Sequence, residues 1–558
     1  MRQLVLLCDG TNNNLTGVAS DTHVVALAEL LLTDPDAERV VFYDPGVGNP
    51  GEVPGITAWD SARRFFERID GLALGRGVFD NIAEGYLFLM RHWRGADDQI
   101  WLFGFSRGAF TARSIGGLVN RFGILEPHLQ PLVPTLLHLY FSQATPQGDA
   151  IGQQASRLFA PAPQRRALIE FVGVWDTVQT VGLWPFSLRI QAKPTLKGKR
   201  FVHVRHALAL DEHRAQFVPR GYAEDNGPLP AADGRHGSIE QLWFRGAHCD
   251  VGGGYVLTEG ALARAPLLWL VSQAVQCGLR LRHAGQPLDT EGAVEAAVAR
   301  AVQQASGRPD PVAGGTAVRR VHCQLQATPL WALTGMALRD SRAVAIDDAP
   351  DVPVRMAEHP AVAQWDARFP ADSVWRHAGL SVWWWGYLVL GCALIGLLGW
   401  LLVGHAAGVG EVLHANWRFQ WWQLSALFSL DFEWWKTALQ FHAPRWALVW
   451  DCVLIVCYAY VLSTLAARAF AHAAAFNRHG RAVPRALNAL GWALPLMVVG
   501  DLVENGFSWL TLTFGHLDGW WLTWPCRLGM ALGALAKLVG LAGVLALIVG
   551  WRALRPRQ

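Results

Sequence analysis

Gln99-Ile-Trp-Leu-Phe-Gly-Phe-Ser-Arg-Gly-Ala-Phe-Thr-Ala-Arg113 is the stretch whose reading decides the fold. The apolar run from Ile100 to Phe103 has the composition of a buried strand, and Ala109 to Val119 carries helical spacing. Between them, Gly104-Phe105-Ser106-Arg107-Gly108 separates the serine from a glycine by one residue on each side. A strand that breaks sharply into a helix exposes the hydroxyl at the break, and small neighbours let the backbone make that turn without collision. The bare G-x-S-x-G pattern occurs in unrelated chains by accident, so its surroundings carry the argument.

Upstream, Leu4 to Leu7 reads as a first strand, followed by the polar turn Cys8-Asp-Gly-Thr-Asn-Asn-Asn14. That turn is either an Asx cap onto a helix near residues 22–32 or one half of an oxyanion hole built from backbone N–H groups. Val40 to Tyr43 is a second strand, Asp44 to Gly51 a surface loop, and residues 77–93 a helix that leads into the Ser106 strand. Strand, helix and strand in this order imply parallel pairing with a right-handed crossover.

Downstream, residues 122–163 read as a helical insertion of the kind that caps a site. Leu168 to Trp175 is another buried strand, ending at Asp176, which either orients a histidine or closes an Asx turn. Residues 201–214 mix His203, His206 and His213 with charges and read as a helix of structural contacts; their spacing is not that of H-E-x-x-H. Residues 239–248 form a last strand with His248 at its end, and Cys249-Asp-Val-Gly-Gly-Gly-Tyr255 follows without the lysine and serine or threonine of a P-loop. Helices follow near residues 267–277 and 294–304, and residues 307–376 carry weak signals.

Five motifs together resemble the bacterial α/β-hydrolase domain of type VI secretion phospholipase effectors and their uncharacterised relatives. They are Cys8-Asp-Gly-Thr-Asn12, Gly104-Phe-Ser-Arg-Gly-Ala109 with Thr111-Ala-Arg113, Val174-Trp-Asp-Thr-Val178, Ala207-Leu-Ala-Leu-Asp-Glu212 and His248-Cys-Asp-Val-Gly-Gly-Gly-Tyr255. The resemblance spans about Arg2 to Cys277. It maps a catalytic triad onto Ser106, Asp176 and His248, the same three residues reached from strand ends and chain order. In that reading His248 takes the Ser106 proton, Asp176 holds the imidazole, and the oxyanion is met by N–H groups of Arg107 and of the Gly10-Thr11 turn, about 3 kcal/mol each. The chemistry calls for no cofactor and no metal.

The 558 residues exceed one domain, and composition changes after Ala378. Residues 1–378 are expected to form the catalytic domain, an α/β-hydrolase-like mostly parallel sheet with helical insertions. Residues 379–558 are expected to form an all-α transmembrane bundle. Four apolar segments (residues 380–403, 446–465, 487–510 and 528–549) are each long enough to cross about 30 Å of hydrocarbon. Tryptophans cluster near their ends, and residues 406–445 read as a Trp-rich interfacial segment. Arg468, Arg478, Arg481 and Arg485 between the second and third segments, and Arg552, Arg555 and Arg557 in the tail, put the amino-terminal domain and the C-terminus in the cytoplasm of a bacterial inner-membrane, multi-pass protein. Asp451, Asp501, Glu504 and Lys537 fall inside these segments, and Lys537 is expected to pair with Asp501 or Glu504.

Other classes weaken on composition. A formal net charge of +3 with scattered arginines argues against a nucleic-acid partner, and eight cysteines without a C-x-x-C pair indicate neither zinc nor a disulfide scaffold. The short apolar run at the amino terminus reads as a strand and is too short for a signal-peptide core. The expected function is a membrane-anchored serine hydrolase of lipid esters, of phospholipase A type, with bilayer lipid as substrate; a homo-oligomer is compatible with it. Two alternatives stand beside it: a hydrolase-like regulatory or scaffolding module on a membrane protein, and a secreted antibacterial lipase effector.

Overall fold

The computed structural model describes residues 1–10, 21–33, 38–46, 76–141, 167–178, 180–181, 188–189, 199–230, 235–283, 285–315, 321–339, 344–346, 349–354, 356–368, 445–477, 483–514 and 520–550, with isolated positions between some of these. Contacts divide the chain into two units. Residues 1–212, 217–322 and 339–369 make the first, and residues 213–216, 323–338 and 370–558 the second.

In the first unit, strands and helices alternate as the apolar runs require. They are β1 (Arg2–Cys8), α1 (His23–Thr33), β2 (Arg39–Asp44), α2 (Arg76–His92), β3 (Asp98–Phe105), α3 (Arg107–Phe122), β4 (Ile169–Trp175), β5 (Phe201–Ala209), β6 (Gly227–Pro230), β7 (His236–Phe244), α4 (His248–Gly252), α5 (Arg264–Gln276), α6 (Glu291–Ser306) and β8 (Ala357–Glu358). One eight-stranded sheet runs in the order β8-β7-β5-β4-β3-β1-β2, with β6 added antiparallel on β7. Every other neighbouring pair is parallel. Parallel neighbours need crossover connections, and the sheet is the mostly parallel one expected.

Alternation along the strands fills two cores. Leu4, Leu6, Ile100 and Leu102 face Tyr86, Ile115 and Leu118 of α2 and α3. Val5, Leu7, Trp101 and Phe103 face the other side, against Leu27 of α1, Leu270 of α5 and Val294 of α6. A parallel sheet covered on both faces leaves its strand ends as the open edge where a site can form.

Two expectations are corrected. Residues 201–209 form a strand, not a helix: all but one of the nine residues of β5 are buried, because the strand lies between β4 and β7 with both faces covered. Burial on both faces erases the alternation that marks a strand, and the buried Arg205 side chain donates to Gln273 and Ser238. The strand expected to reach His248 ends at Phe244, and His248 begins the short helix α4.

The second unit contains α7 (Arg445–Asn477), α8 (Ala493–Phe514) and α9 (Trp520–Gly550). Three stretches, Asp451–Ala474, Arg485–Phe514 and Trp524–Gly550, are long and apolar enough to cross a membrane, matching three of the four expected segments. Most of residues 380–403 and nearly all of residues 406–445 lie outside the described residues. Leu528, Leu532, Leu535, Val539, Leu545 and Val549 of α9 point outward, as side chains that meet lipid do. Gly500 of α8 and Gly533 of α9 bring the two backbones so close that a Cβ on either would overlap the other helix. Lys537 Nζ lies 2.6 Å from Asp501 Oδ1 and 3.7 Å from Glu504 Oε2, so it pairs with both expected carboxylates. Tyr458 donates to Asp501, and Asn505 Nδ2 donates to Asp451 Oδ2 at 2.7 Å.

Candidate active site

Among the described residues, Ser106 and Asp176 are the two non-glycine residues with positive φ, 59° and 39°. Such backbone costs about 1–3 kcal/mol and persists where the surroundings over-determine it. Ser106 stands between the last residue of β3 and the first of α3. Its N–H donates to the Trp175 carbonyl at 3.1 Å, and its own carbonyl accepts from Val178 N–H at 3.3 Å, so the ends of β3 and β4 clamp it. A Cβ on Gly104 would overlap the backbone of Gly108 and Ala109, and one on Gly108 would overlap the Cys8 and Asp9 carbonyls. Both glycines are thus required by close backbone approach, and the elbow is pressed onto the end of β1.

Asp176 follows β4 and is fully buried. Its N–H donates to Ala207 O at 2.7 Å, and its Oδ1 accepts from Ala209 N–H at 3.0 Å, so β5 aims the carboxylate. His248 Nδ1 lies 2.5 Å from Asp176 Oδ2. With Nδ1–H given to the carboxylate, Nε2 keeps the lone pair that can accept a proton. The ring is packed at 4.6 Å from Phe105 and edge-on at 5.1 Å from Phe217, and the His248 backbone N–H donates to Glu212 Oε2 at 3.3 Å.

Sequence reasoning missed Arg339. Its Nη1 is 2.6 Å from Asp176 Oδ1 and its Nη2 3.2 Å from Oδ2, with Nη1 also donating to the Ala209 carbonyl at 2.7 Å. Burial pushes the Asp176 carboxyl up, but the Arg339 guanidinium and the His248 hydrogen bond outweigh it and hold the group well below the usual carboxylate range. Arg339 lies 163 residues along the chain from Asp176, in a segment with no pattern that could announce it.

Asp250, two residues after His248, belongs to a second pair. Its Oδ2 accepts from the N–H groups of Ala247 and His322, and its Oδ1 lies 2.7 Å from His322 Nδ1. Asp250 therefore anchors the start of α4, the helix that carries His248. His206 serves structure as expected: Thr177 N–H donates to its Nε2 at 3.3 Å, and burial, with the nearby Arg113 charge, pushes it down to about 3, so the ring is neutral.

The residues expected to meet an oxyanion divide. Arg107 opens α3 directly after Ser106, and burial pushes its guanidinium down to about 10. The Gly10 N–H, expected to face an oxyanion, instead donates to Asp9 Oδ1 at 2.6 Å. Asp9 Oδ2 in turn accepts from Thr22 Oγ1 at 2.7 Å and Tyr43 OH at 3.1 Å, so a buried carboxylate gathers the turn around itself. Thr11 lies outside the described residues. Among the described residues, no group of three or more His, Cys, Asp or Glu side chains is arranged to hold a metal ion.

Residues 2–273 match the family model described as "T6SS, Phospholipase effector Tle1-like, catalytic domain". An uncharacterized protein of Saccharomyces cerevisiae is 30% identical over 228 residues, which is 39% of this chain and 32% of that one. The chain thus matches about a third of the length of this relative. A crystal structure of an uncharacterized protein from Pseudomonas aeruginosa aligns at a TM-score of 0.29 with 16% identity, covering 60% of this chain and 58% of that one.

Proposed function

Since residues 2–273 match the catalytic domain of Tle1-like type VI secretion phospholipase effectors, we propose that this chain is a serine hydrolase that cleaves carboxylic esters of membrane lipids, in the manner of a phospholipase A. The observation that carries the reading is the coincidence of Ser106 on its strained elbow with the buried His248–Asp176 pair, all within the matched region. In the proposed reaction Ser106 Oγ attacks the ester carbonyl while His248 Nε2 takes its proton. The imidazolium is stabilised by Asp176, the alcohol leaves with the proton returned by His248, and water releases the acid by the reverse roles.

The Arg107 N–H is the proposed oxyanion donor at the start of α3, where the helix dipole adds positive potential. Gly10 and Thr11 are the proposed second source, once the Gly10 N–H turns from Asp9 to the developing oxyanion. The three apolar helices support a bilayer setting, in which the substrate is already concentrated beside the enzyme. The inner-membrane placement, with the catalytic domain and C-terminus cytoplasmic, is proposed from the arginines of the loops.

A fluorophosphonate probe on full-length protein tests the nucleophile, followed by chromatography of the products from phospholipid vesicles. Labelling and release of fatty acid, both lost in Ser106→Ala, are the expected results. Labelling that survives in Ser106→Ala would remove Ser106 from the role.

A further inference from the structure

Residues 213–216 and 323–338 belong to the second unit, and the chain returns to the first unit at Phe217 and at Arg339. Both returning residues serve the His248–Asp176 pair. Arg339 grips the Asp176 carboxylate with two nitrogens and donates to the Phe217 carbonyl, and the Phe217 ring stands edge-on to His248. Glu212, the last residue before 213–216, accepts from the His248 backbone N–H. Supports of both His248 and Asp176 therefore flank segments that pack in the other unit.

Within the second unit these segments pair with each other. Arg214 and Met336 form an antiparallel bridge, Ala337 N–H donates to the His213 carbonyl at 3.0 Å, and Ala215 N–H donates to the Gly335 carbonyl at 3.1 Å. The same segments are tied to the long helices. The His213 ring lies edge-on to Phe470 of α7 at 6.1 Å. A short helix, Val483–Leu490, leads through Gly491 into α8, and its Leu487 is fully buried. Asn488 Oδ1 on that helix accepts from the Leu338 N–H at 2.6 Å, and the Gly491 carbonyl accepts from the Met336 N–H at 3.1 Å. A Cβ on Gly491 would overlap the Met336 carbonyl, so the two backbones meet with no space for a side chain.

Leu338 immediately precedes Arg339. A guanidinium that meets a carboxylate with two nitrogens needs the right orientation as well as the right distance, and a fixed peptide at its root supplies both. Asn488 and Arg339 both lie beyond residues 2–273, the region that carries Ser106, Asp176 and His248. We propose that Asn488 is a positioning residue for this site: by holding the Leu338 peptide it keeps Arg339 on Asp176, and the unit with the long apolar helices thereby completes the hydrolase. The effect on rate rests on the serine-hydrolase reading above.

Full-length wild type, Asn488→Leu and Asn488→Asp are to be compared on a water-soluble ester, with rates taken per fluorophosphonate-labelled site so that unfolded protein does not count. Leucine suits a helix but cannot accept the Leu338 N–H, whereas aspartate keeps the acceptor. In Asn488→Leu kcat should fall about tenfold with KM unchanged, less than the roughly hundredfold that a misplacement of about 1 Å can cost. Asn488→Asp should stay within about twofold of wild type. In an Arg339→Met background Asn488→Leu should cost less than about twofold, since both substitutions act on one contact. A wild-type rate in Asn488→Leu, an Asn488→Asp protein as slow as Asn488→Leu, or losses that multiply in the double variant would overturn the proposal. Hydrogen exchange read by mass spectrometry follows the same link without turnover. The Ala209 N–H is held by Asp176 Oδ1, and its peptide should exchange faster in Asn488→Leu; exchange there equal to wild type also overturns the proposal. A wild type that cleaves no ester fails the hydrolase reading alone, and the exchange at Ala209 still decides what Asn488 holds.

Discussion

Arg339 holds Asp176 through both guanidinium nitrogens, at 2.6 Å to Oδ1 and 3.2 Å to Oδ2, while His248 takes the same carboxylate at 2.5 Å. A fully buried carboxylate would otherwise tend to protonate, and a protonated acid cannot stabilise an imidazolium. Arg339 keeps the acid ionised and, through the Ala209 and Phe217 carbonyls, in place. In the proposed reaction it would act through Asp176, as a positioning residue.

Arg339→Met is therefore expected to cost about 3–5 kcal/mol of stability, the loss on removing one partner of a buried pair. It should also lower kcat on a soluble ester by about tenfold or more through misplacement of the acid, with Arg339→Lys recovering part of both. The rate is to be measured per fluorophosphonate-labelled site. A rate per site equal to wild type would reduce Arg339 to a purely structural role.

Ser106 holds a backbone conformation that glycine adopts freely. Ser106→Gly should abolish ester hydrolysis and yet leave the protein as stable or more stable by about 1 kcal/mol, after the extra chain entropy of glycine is counted. Thermal unfolding of the two proteins decides this. A clear loss of stability would mean that the elbow is not strained.

The close contact of the elbow with β1 sets the opposite expectation for Gly108→Ala. The new methyl would meet the Cys8 and Asp9 carbonyls, which are backbone and cannot swing aside. A drop of about 2 kcal/mol or more is expected, in the range of overpacked cores, with hydrolysis reduced about a hundredfold by displacement of Ser106. Wild-type activity in this variant would show that the elbow and the end of β1 can move apart at little cost.

Burial and the Arg113 charge push His206 down to about 3, and burial and the Arg264 charge do the same to His23. In the unfolded chain a histidine titrates near ~6.5. Between these values the unfolded state binds a proton that the folded state refuses. Each histidine's contribution is thus complete above about pH 6.5 and falls by about 1.4 kcal/mol per pH unit toward pH 3. The Asp176 carboxyl is also depressed and adds its own loss only below about pH 4. Unfolding temperatures measured from pH 7 to pH 5 should fall, and fall less steeply in His206→Gln; parallel slopes would contradict the assignment.

In the second unit Lys537 is the cation shared by Asp501 and Glu504. Lys537→Met should sharply lower the unfolding temperature of the micelle-solubilised protein, because carboxylates are left uncompensated in an apolar setting. Adding Asp501→Asn to it should restore part of the loss. A double variant no better than the single one would separate Lys537 from Asp501.

Much of this protein was legible in its sequence because the relevant forces are local. Apolar runs at Leu4 to Leu7 and Ile100 to Phe103, and the largely apolar run from Ile169 to Trp175, lie in three parallel strands, since strands covered on both faces are mostly apolar. The spacing of Gly104, Ser106 and Gly108 described the elbow because the collision that forbids larger residues there lies within a few residues of the turn and at the adjoining strand end. Twenty-residue apolar segments announced the three long helices for the equally local reason that length and hydropathy are properties of a segment.

Tertiary structure decided what depends on residues far apart in the chain. Residues 201–209 became a strand because β4 and β7 took both their edges, which no periodicity within the segment could show. Gly10 turned its N–H to Asp9, and Asp9 was held by Thr22 and Tyr43 from other elements. Arg339 reached Asp176 across 163 residues, and His322 reached Asp250 across 72. Buried charges choose partners by position in space, since the cost of leaving one unpaired depends on what surrounds it and not on how far along the chain its partner lies.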